Sequence, residues 1–209
     1  MGANIGTTCI YFKHKFDKNL KILAFEPDST NYMLLKMNVA LNNMSDDSIL
    51  ENFGLGDHES EQIMHITPSN PGHNTIIPDS EGLPTETIHI IKLDDYITKN
   101  NINPKEIKYI WIDTEGFEPQ VLIGAKNLIM NNSIPIFMEF NPMTWNQSGL
   151  FEKMVTLLND CYDYFIMTSE MHNDKKNVNL YPINDLLKYK NLRVETGSMG
   201  DIFLVKDNS

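Results

Sequence analysis

Short apolar segments alternate along the chain with stretches whose apolar residues recur at helical spacing, and this alternation restricts the possible folds more than any other feature. Leu20 to Phe25, Ile49 to Phe53, Ile107 to Asp113, Ile134 to Phe140, Tyr164 to Met167 and Ile202 to Val205 have the length and composition of strands. Between them, Tyr32, Leu35 and Val39 mark one helical stripe, Val121, Leu122, Ala125, Leu128 and Ile129 a second, and Phe151, Met154, Val155 and Leu158 a third. Strands separated by helices predict an α/β fold, with a mostly parallel central sheet and helices on both faces. A chain of 209 residues, 41% hydrophobic, is large enough to build this as one domain around one core. The twelve methionines are expected to fill gaps in that core.

One region breaks the pattern. Thr67 to Thr85 holds Pro68, Pro71, Gly72, Pro78, Gly82 and Pro84, which resist both helix and strand. Its flanks, Gln62 to Ile66 and Thr87 to Leu93, read as further strands. A loop this long is either functional or disordered, and residues 67–85 are expected to form a lid over an active site.

Composition removes several classes of function. Seventeen basic against 28 acidic residues give a formal charge of −11, which repels a phosphate backbone, and no cluster of Lys or Arg offsets it. Nucleic acid is therefore not an expected partner. The longest apolar runs are far short of the roughly 20 residues that span a bilayer, so no membrane insertion is expected. No basic stretch followed by an apolar one marks a secretory signal. Cys9 and Cys161 stand far apart and form neither a disulfide framework nor a zinc motif, which fits a reducing cytoplasm. His14, His58, His65, His89 and His172 show no ligand spacing, so no metal is expected. His73, inside the proline-rich loop, could reach an acceptor near neutral pH or simply be solvated. Oligomeric state is not legible.

Two stretches point to a nucleoside. The chain opens with M-G-A-N-I-G-T-T, where Gly2 and Gly6 lack a Cβ and Asn4 tolerates left-handed backbone, so a tight turn can approach a ligand closely. A dinucleotide fingerprint would read G-x-G-x-x-G; here G-A-N-I-G-T stands instead, so a cofactor without a pyrophosphate fits better. The apolar L-K-I-L-A-F-E-P then ends in Glu26, 20 residues beyond Gly6, about where an acidic residue accepts hydrogen bonds from a ribose diol. Alone, Glu26 reads equally as a strand-end glutamate capping the next helix. The G-A-N-I-G turn upstream favours the ribose.

In this order, GANIGTT, LAFEPDSTNYMLLKMNVALNN, NFGLGD, IKLDDYI, YIWIDTEGFEPQVLIGA and PIFMEF resemble the FkbM-type S-adenosylmethionine-dependent methyltransferases over roughly residues 1–142. The resemblance implies a Rossmann-like class I methyltransferase fold, S-adenosylmethionine as donor, and methyl transfer to a hydroxyl of a small molecule, sugar or glycan. It places Gly2, Ala3, Asn4, Gly6 and Thr7 around the donor's methionine end and Glu26 with Pro27 at its ribose. The Gly54 to Asp57 turn, with Leu55, then lies at the adenine. Members of this family carry a strand ending in an acidic residue just before the glycine turn, whereas this sequence has only Met1 there. The N-terminal strand is thus expected to be missing, and to be supplied by a parent protein or a neighbouring segment.

The remaining chemistry lies in I-D-T-E-G, residues 112–116. Methyl transfer needs the acceptor aligned and its proton removed as the new bond forms, and a carboxylate can take that proton. By the period of two, Asp113 and Glu115 are expected on one side of the strand end, with Gly116 allowing a sharp exit into a helix near Pro119. Asp113 is assigned to the donor's methionine end and Glu115 to the acceptor, as base or orienter; Glu115 or Glu118 could equally face a helix N-terminus. Glu139 ends the next strand, where it joins an acceptor pocket or caps a helix. Asn141 to Thr144 faintly resembles an amine-methyltransferase motif but follows the wrong strand. Two other classes stay open: an NAD-dependent oxidoreductase on a similar fold, and a non-catalytic binding module.

Overall fold

Strands form where β-branched and other apolar residues cluster, and three of the helices begin at a glycine, aspartate or asparagine cap, Gly6, Asp28 and Asn141. The structure is a computed structural model that describes residues 1–76, 82–172, 178–191 and 200–207. It divides into two compact units, Met1–Lys92 and Leu93–Ser209.

In the first unit, helix α1 (Thr7–Lys15) starts from Gly6, whose φ of 89° is left-handed. A Cβ on Gly6 would lie 2.6 Å from Leu35 Cδ1, so packing as well as φ requires glycine there. Strand β1 (Ile22–Phe25) leads into α2 (Ser29–Leu41), whose cap is Asp28: its side chain accepts the Asn31 N–H. The chain returns as β2 (Ser48–Glu51), parallel to β1 from Ile22 against Ser48 to Phe25 against Glu51, with α2 as the crossover that parallel pairing demands. Asn31, Leu35 and Val39 form the buried face of α2, four residues apart. Leu35 and Val39 join Ala24 and Met44 in one core cluster. Strands β3 (Gly54–Leu55), β4 (Ser60–His65) and β5 (Thr85–Ile91) form a separate sheet in the order β3-β5-β4, with β3 parallel and β4 antiparallel to β5. Met64, Ile88 and Ile90 are buried on it.

The second unit contains α3 (Leu93–Lys99), β6 (Ile110–Ile112), α4 (Glu118–Gly124), α5 (Lys126–Asn131), β7 (Ile136–Glu139), α6 (Pro142–Gln147), α7 (Phe151–Cys161), β8 (Tyr164–Met167), β9 (Tyr181–Pro182) and β10 (Asp201–Val205). Its sheet runs β6-β7-β10-β8-β9. Trp111 stacks on Phe137, its partner in the β6–β7 register, with ring centres 3.8 Å apart. Ile112, Leu122, Ile136, Met138, Phe140, Trp145, Leu158 and Phe165 are fully buried. Tyr162 is buried with them and its hydroxyl donates to the Ile134 carbonyl at 2.7 Å. Trp145, Tyr162 and Phe165 are thus core.

The expectation of a mostly parallel sheet is corrected: the sheets are mixed. Parallel pairing holds for β1–β2, β3–β5 and β6–β7, whereas β10 is antiparallel to both β7 and β8, β8 to β9, and β4 to β5. Alternating strands and helices reports how elements are separated but carries no information on the end from which a strand enters its sheet. Two smaller expectations change as well. The Val121 to Ile129 stripe is two helices broken at Ala125, beside Gly124, rather than one. Methionines do not all fill the interior, since Met44, Met64, Met138, Met154 and Met167 are buried but Met33 and Met37 are exposed on α2.

Replacing Leu122 with alanine should therefore cost about 2 to 5 kcal/mol of stability through the cavity it leaves. Leu187→Ala, at an exposed position, should stay within about 0.5 kcal/mol. Urea unfolding of the two variants checks the contrast.

Candidate functional site

The opening turn alternates left-handed residues: Gly2 at φ 68°, Asn4 at 50° and Gly6 at 89°. This curl brings the Asn4 N–H to Glu26 Oε2 at 2.7 Å. From the other side, the Asp28 N–H donates to Glu26 Oε1 at 3.0 Å. The Ala3 N–H donates to the Phe25 carbonyl at 3.0 Å, the Glu26 N–H to the Glu51 carbonyl at 3.0 Å, and Asn52 Nδ2 to the Glu26 carbonyl at 2.9 Å. Glu26 is therefore fixed at the tip of β1 through backbone and side chain alike. It is 5% exposed. Burial pushes its carboxyl up to about 7; the Asp28 and Asn4 amides pull the other way, and the Asp28 charge adds a smaller upward push. Each carboxylate oxygen accepts one amide and keeps capacity for a second donor, which is what a ribose diol offers. The side-chain cap of α2 is Asp28, and Glu26 accepts the N–H of that capping residue.

Thr7 opens α1, half-buried Pro27 follows Glu26, and Leu55 is buried in β3. The front of the proline-rich loop lies against this end of the unit: Asn31 Nδ2 donates to the Pro71 carbonyl at 3.1 Å and Asn74 Nδ2 to Asp28 Oδ2 at 3.2 Å. His73 belongs to a short 3₁₀ turn, Pro71–His73, and its carbonyl accepts the Thr67 hydroxyl. Residues 77–81 of the expected lid lie outside the described residues.

In the second unit, β6 ends at Ile112, so the period of two does not extend to Glu115. That expectation is corrected: a turn, not the pleat, brings Asp113 and Glu115 near each other. Glu115 has φ 52° and Gly116 φ 94°, and the Phe117 N–H donates to the Thr114 carbonyl at 3.2 Å. Positive φ at both central residues is the pattern of a type I′ turn. A left-handed glutamate costs roughly 1 to 2 kcal/mol. Glu118, fully buried at the start of α4, accepts three hydrogen bonds on Oε1: from the Thr114 N–H at 2.8 Å, the Thr114 hydroxyl at 2.9 Å and the Gly116 N–H at 3.2 Å. Its Oε2 is buried without a hydrogen-bond partner among the described residues.

Five carboxylates influence one another here. Glu115 is pushed up to about 8 by burial first, then by the charges of Glu139, Asp113 and Glu118. Glu118 is pushed up to about 7 by burial and by Glu139, against its own hydrogen bonds. Asp201, opposite Glu139 in the β10–β7 register, is raised by burial and by Asp113. A glutamate with a pKa near 8 is held close to the range in which proton transfer is efficient. Asn141 to Thr144 proves to be a helix start, with Asn141 Oδ1 accepting the Thr144 N–H at 3.1 Å. Among the described residues no group of three or more His, Cys, Asp or Glu is arranged to hold a metal, and no helix is long and apolar enough to cross a membrane.

Sequence reasoning passed over Asp28, Asp201 and the hold of Glu118 on its turn. An aspartate directly before an apolar helical stripe is a capping signal and could have singled out Asp28. Asp201 meets the others only through antiparallel register, and nothing in the sequence marks that.

Folded, Glu115 and Glu118 keep protons that the unfolded chain, with carboxyls near the ordinary value of 4.5, has already released. The stability they contribute is therefore present below about pH 4.5 and is lost as pH rises through about 7 to 8. The urea midpoint should fall across this window, and Glu118→Gln should flatten the fall. A midpoint rising from pH 5 to 8 would contradict the assignment.

Comparison with known proteins gives this geometry a context. The family described as Methyltransferase FkbM domain matches residues 1–165. The chain is 26% identical over 186 residues to Methyltransferase sdnD of Sordaria araneosa, covering 76% of this chain and 70% of that protein. It is 27% identical over 141 residues to Methyltransferase 1 of Beauveria bassiana, covering 59% of this chain and 55% of that one. Its fold is similar to the crystal structure of methyltransferase FkbM from Methylobacillus flagellatus KT, with a TM-score of 0.57 and 15% identity over 97% of this chain. The chain spans only 41% of that structure's length. The G-A-N-I-G turn, Glu26 and the Asp113 to Glu118 turn all fall within the matched residues, and the chain belongs to the FkbM methyltransferase domain family.

Proposed function

We propose that the chain is an S-adenosylmethionine-dependent methyltransferase that acts on a hydroxyl of a small molecule, sugar or glycan. The observation that carries this reading is Glu26, held at the end of β1 by one amide on each oxygen, with one acceptor position left on each for the two ribose hydroxyls. Gly2, Ala3, Asn4, Gly6 and Thr7 supply a turn whose backbone can approach the donor, beside Glu26, Pro27 and Leu55. The charge of −11 favours a small acceptor over nucleic acid.

When bound, S-adenosylmethionine supplies a methyl group already activated for in-line displacement. The chain's own residues bind, orient and move a proton. Asp113, exposed just beyond β6, is assigned to the ammonium of the donor's methionine end. Glu115 is assigned to the acceptor: in its ionised form it takes the hydroxyl proton as the oxygen–carbon bond forms and the carbon–sulfur bond breaks. Because its carboxyl is pushed up to about 8, the ionised fraction, and with it the transfer rate, rises with pH through that value.

Calorimetry with S-adenosylhomocysteine tests the donor. Glu26→Ala should weaken binding about tenfold or more by removing charge-assisted acceptors. Glu115→Gln should leave binding unchanged while slowing transfer by about 10² to 10⁴. Equal damage from both variants would overturn the division of roles, and binding of NADH in place of S-adenosylhomocysteine would replace the reading by an oxidoreductase.

A further inference from the structure

Asp113 and Glu115 do not sit on regular secondary structure. They flank and occupy a turn that the backbone adopts only at a cost, since Glu115 is left-handed at φ 52° and is neither glycine nor asparagine. A turn with that φ at a glutamate persists when its surroundings over-determine it. Besides the Phe117 N–H to Thr114 carbonyl bond that closes the turn, one side-chain atom serves both sides of it. Glu118 Oε1 accepts the N–H of the residue before Glu115, the hydroxyl of that same residue, and the N–H of the residue after Glu115. These three bonds bracket the strained position. Glu118 is itself immobilised, being fully buried in the first turn of α4 with Pro119 and Val121 buried beside it. In sequence, Glu118 could as well face a helix N-terminus; in the structure its Oε1 is committed to the preceding turn.

We propose that Glu118 is a positioning residue for methyl transfer: by accepting from Thr114 and Gly116 it locks the turn that aims the Asp113 and Glu115 carboxylates. This inference rests on the methyltransferase reading and goes beyond it in naming the group that sets the geometry of the two acidic residues. Acceptance by Oε1, rather than negative charge, is the active property. Gln supplies the same acceptor at the same place, whereas Met fills a similar volume and accepts nothing of comparable strength.

Amide hydrogen exchange on the full chain tests the hold directly. In the wild type the Thr114 and Gly116 amides are protected, and rapid exchange at both would overturn the proposal without any variant. In Glu118→Met their protection falls at least about tenfold while β7 and β10 keep theirs; in Glu118→Gln it stays within about threefold. Equal loss in the two variants, or no loss in Glu118→Met, overturns it. In a Glu115→Gly background, where the left-handed φ is no longer strained, the loss caused by Glu118→Met shrinks. Calorimetry then reads the consequence for function. S-adenosylhomocysteine binding weakens about tenfold in Glu118→Met, while methylthioadenosine, which lacks the amino-acid end assigned to Asp113, binds as in the wild type. Equal weakening of both ligands means a merely structural role and overturns the positioning claim. Should the wild type bind neither compound, the methyltransferase reading fails, and the exchange data still decide whether Glu118 locks the turn.

Discussion

A carboxylate withdrawn from water must find donors or give up its charge, and in each unit the donors are backbone amides of an adjoining turn. Glu26 receives Asn4 and Asp28; Glu118 receives Thr114 and Gly116. Both turns contain a left-handed residue other than glycine, Asn4 in one and Glu115 in the other. The same hydrogen bonds thus meet two costs together, the desolvation of the acid and the strain of the backbone. Removing either partner would leave a buried acceptor or an unsupported turn, which is why the two cannot be varied independently.

The two anchors differ in reach. Glu26 binds a segment 22 residues upstream and so ties the entry of α1 to the end of β1. Glu118 binds residues two and four positions before it, all within the loop between β6 and α4. The first is a tertiary constraint that exists only once β1, β2 and the opening turn have assembled. The second is local and forms as soon as α4 starts.

Strand and helix positions were legible because apolar clustering and periodicity survive in single segments. Their starts were less so. The segment from Leu20 begins as a strand only at Ile22, because the Leu20 N–H closes a turn on Asp17, and the segment from Ile107 begins at Ile110, after a 3₁₀ turn capped by Asn103. Strand direction was invisible: β10 reads as apolar whichever way it runs. Glycine spacing was enough to single out Glu26. The relation of Asp113 to Glu115 was misjudged because the pleat was continued past Ile112, where β6 ends, to Glu115, and a left-handed glutamate has no sequence signature. Glu118 was hidden for a further reason, in that a glutamate in the first helical turn looks the same whether it answers the helix dipole or a loop.

Strand β10 lies between β7 and β8 although α6, α7, β8 and β9 all precede it in the chain. During synthesis β7 and β8 emerge first and cannot pair with each other, since the place between them belongs to a segment not yet made. Completion of this sheet is therefore a late, long-range event, and two apolar strand edges wait exposed until it happens. The interval before β10 arrives is the period in which the nascent polypeptide would most depend on chaperones.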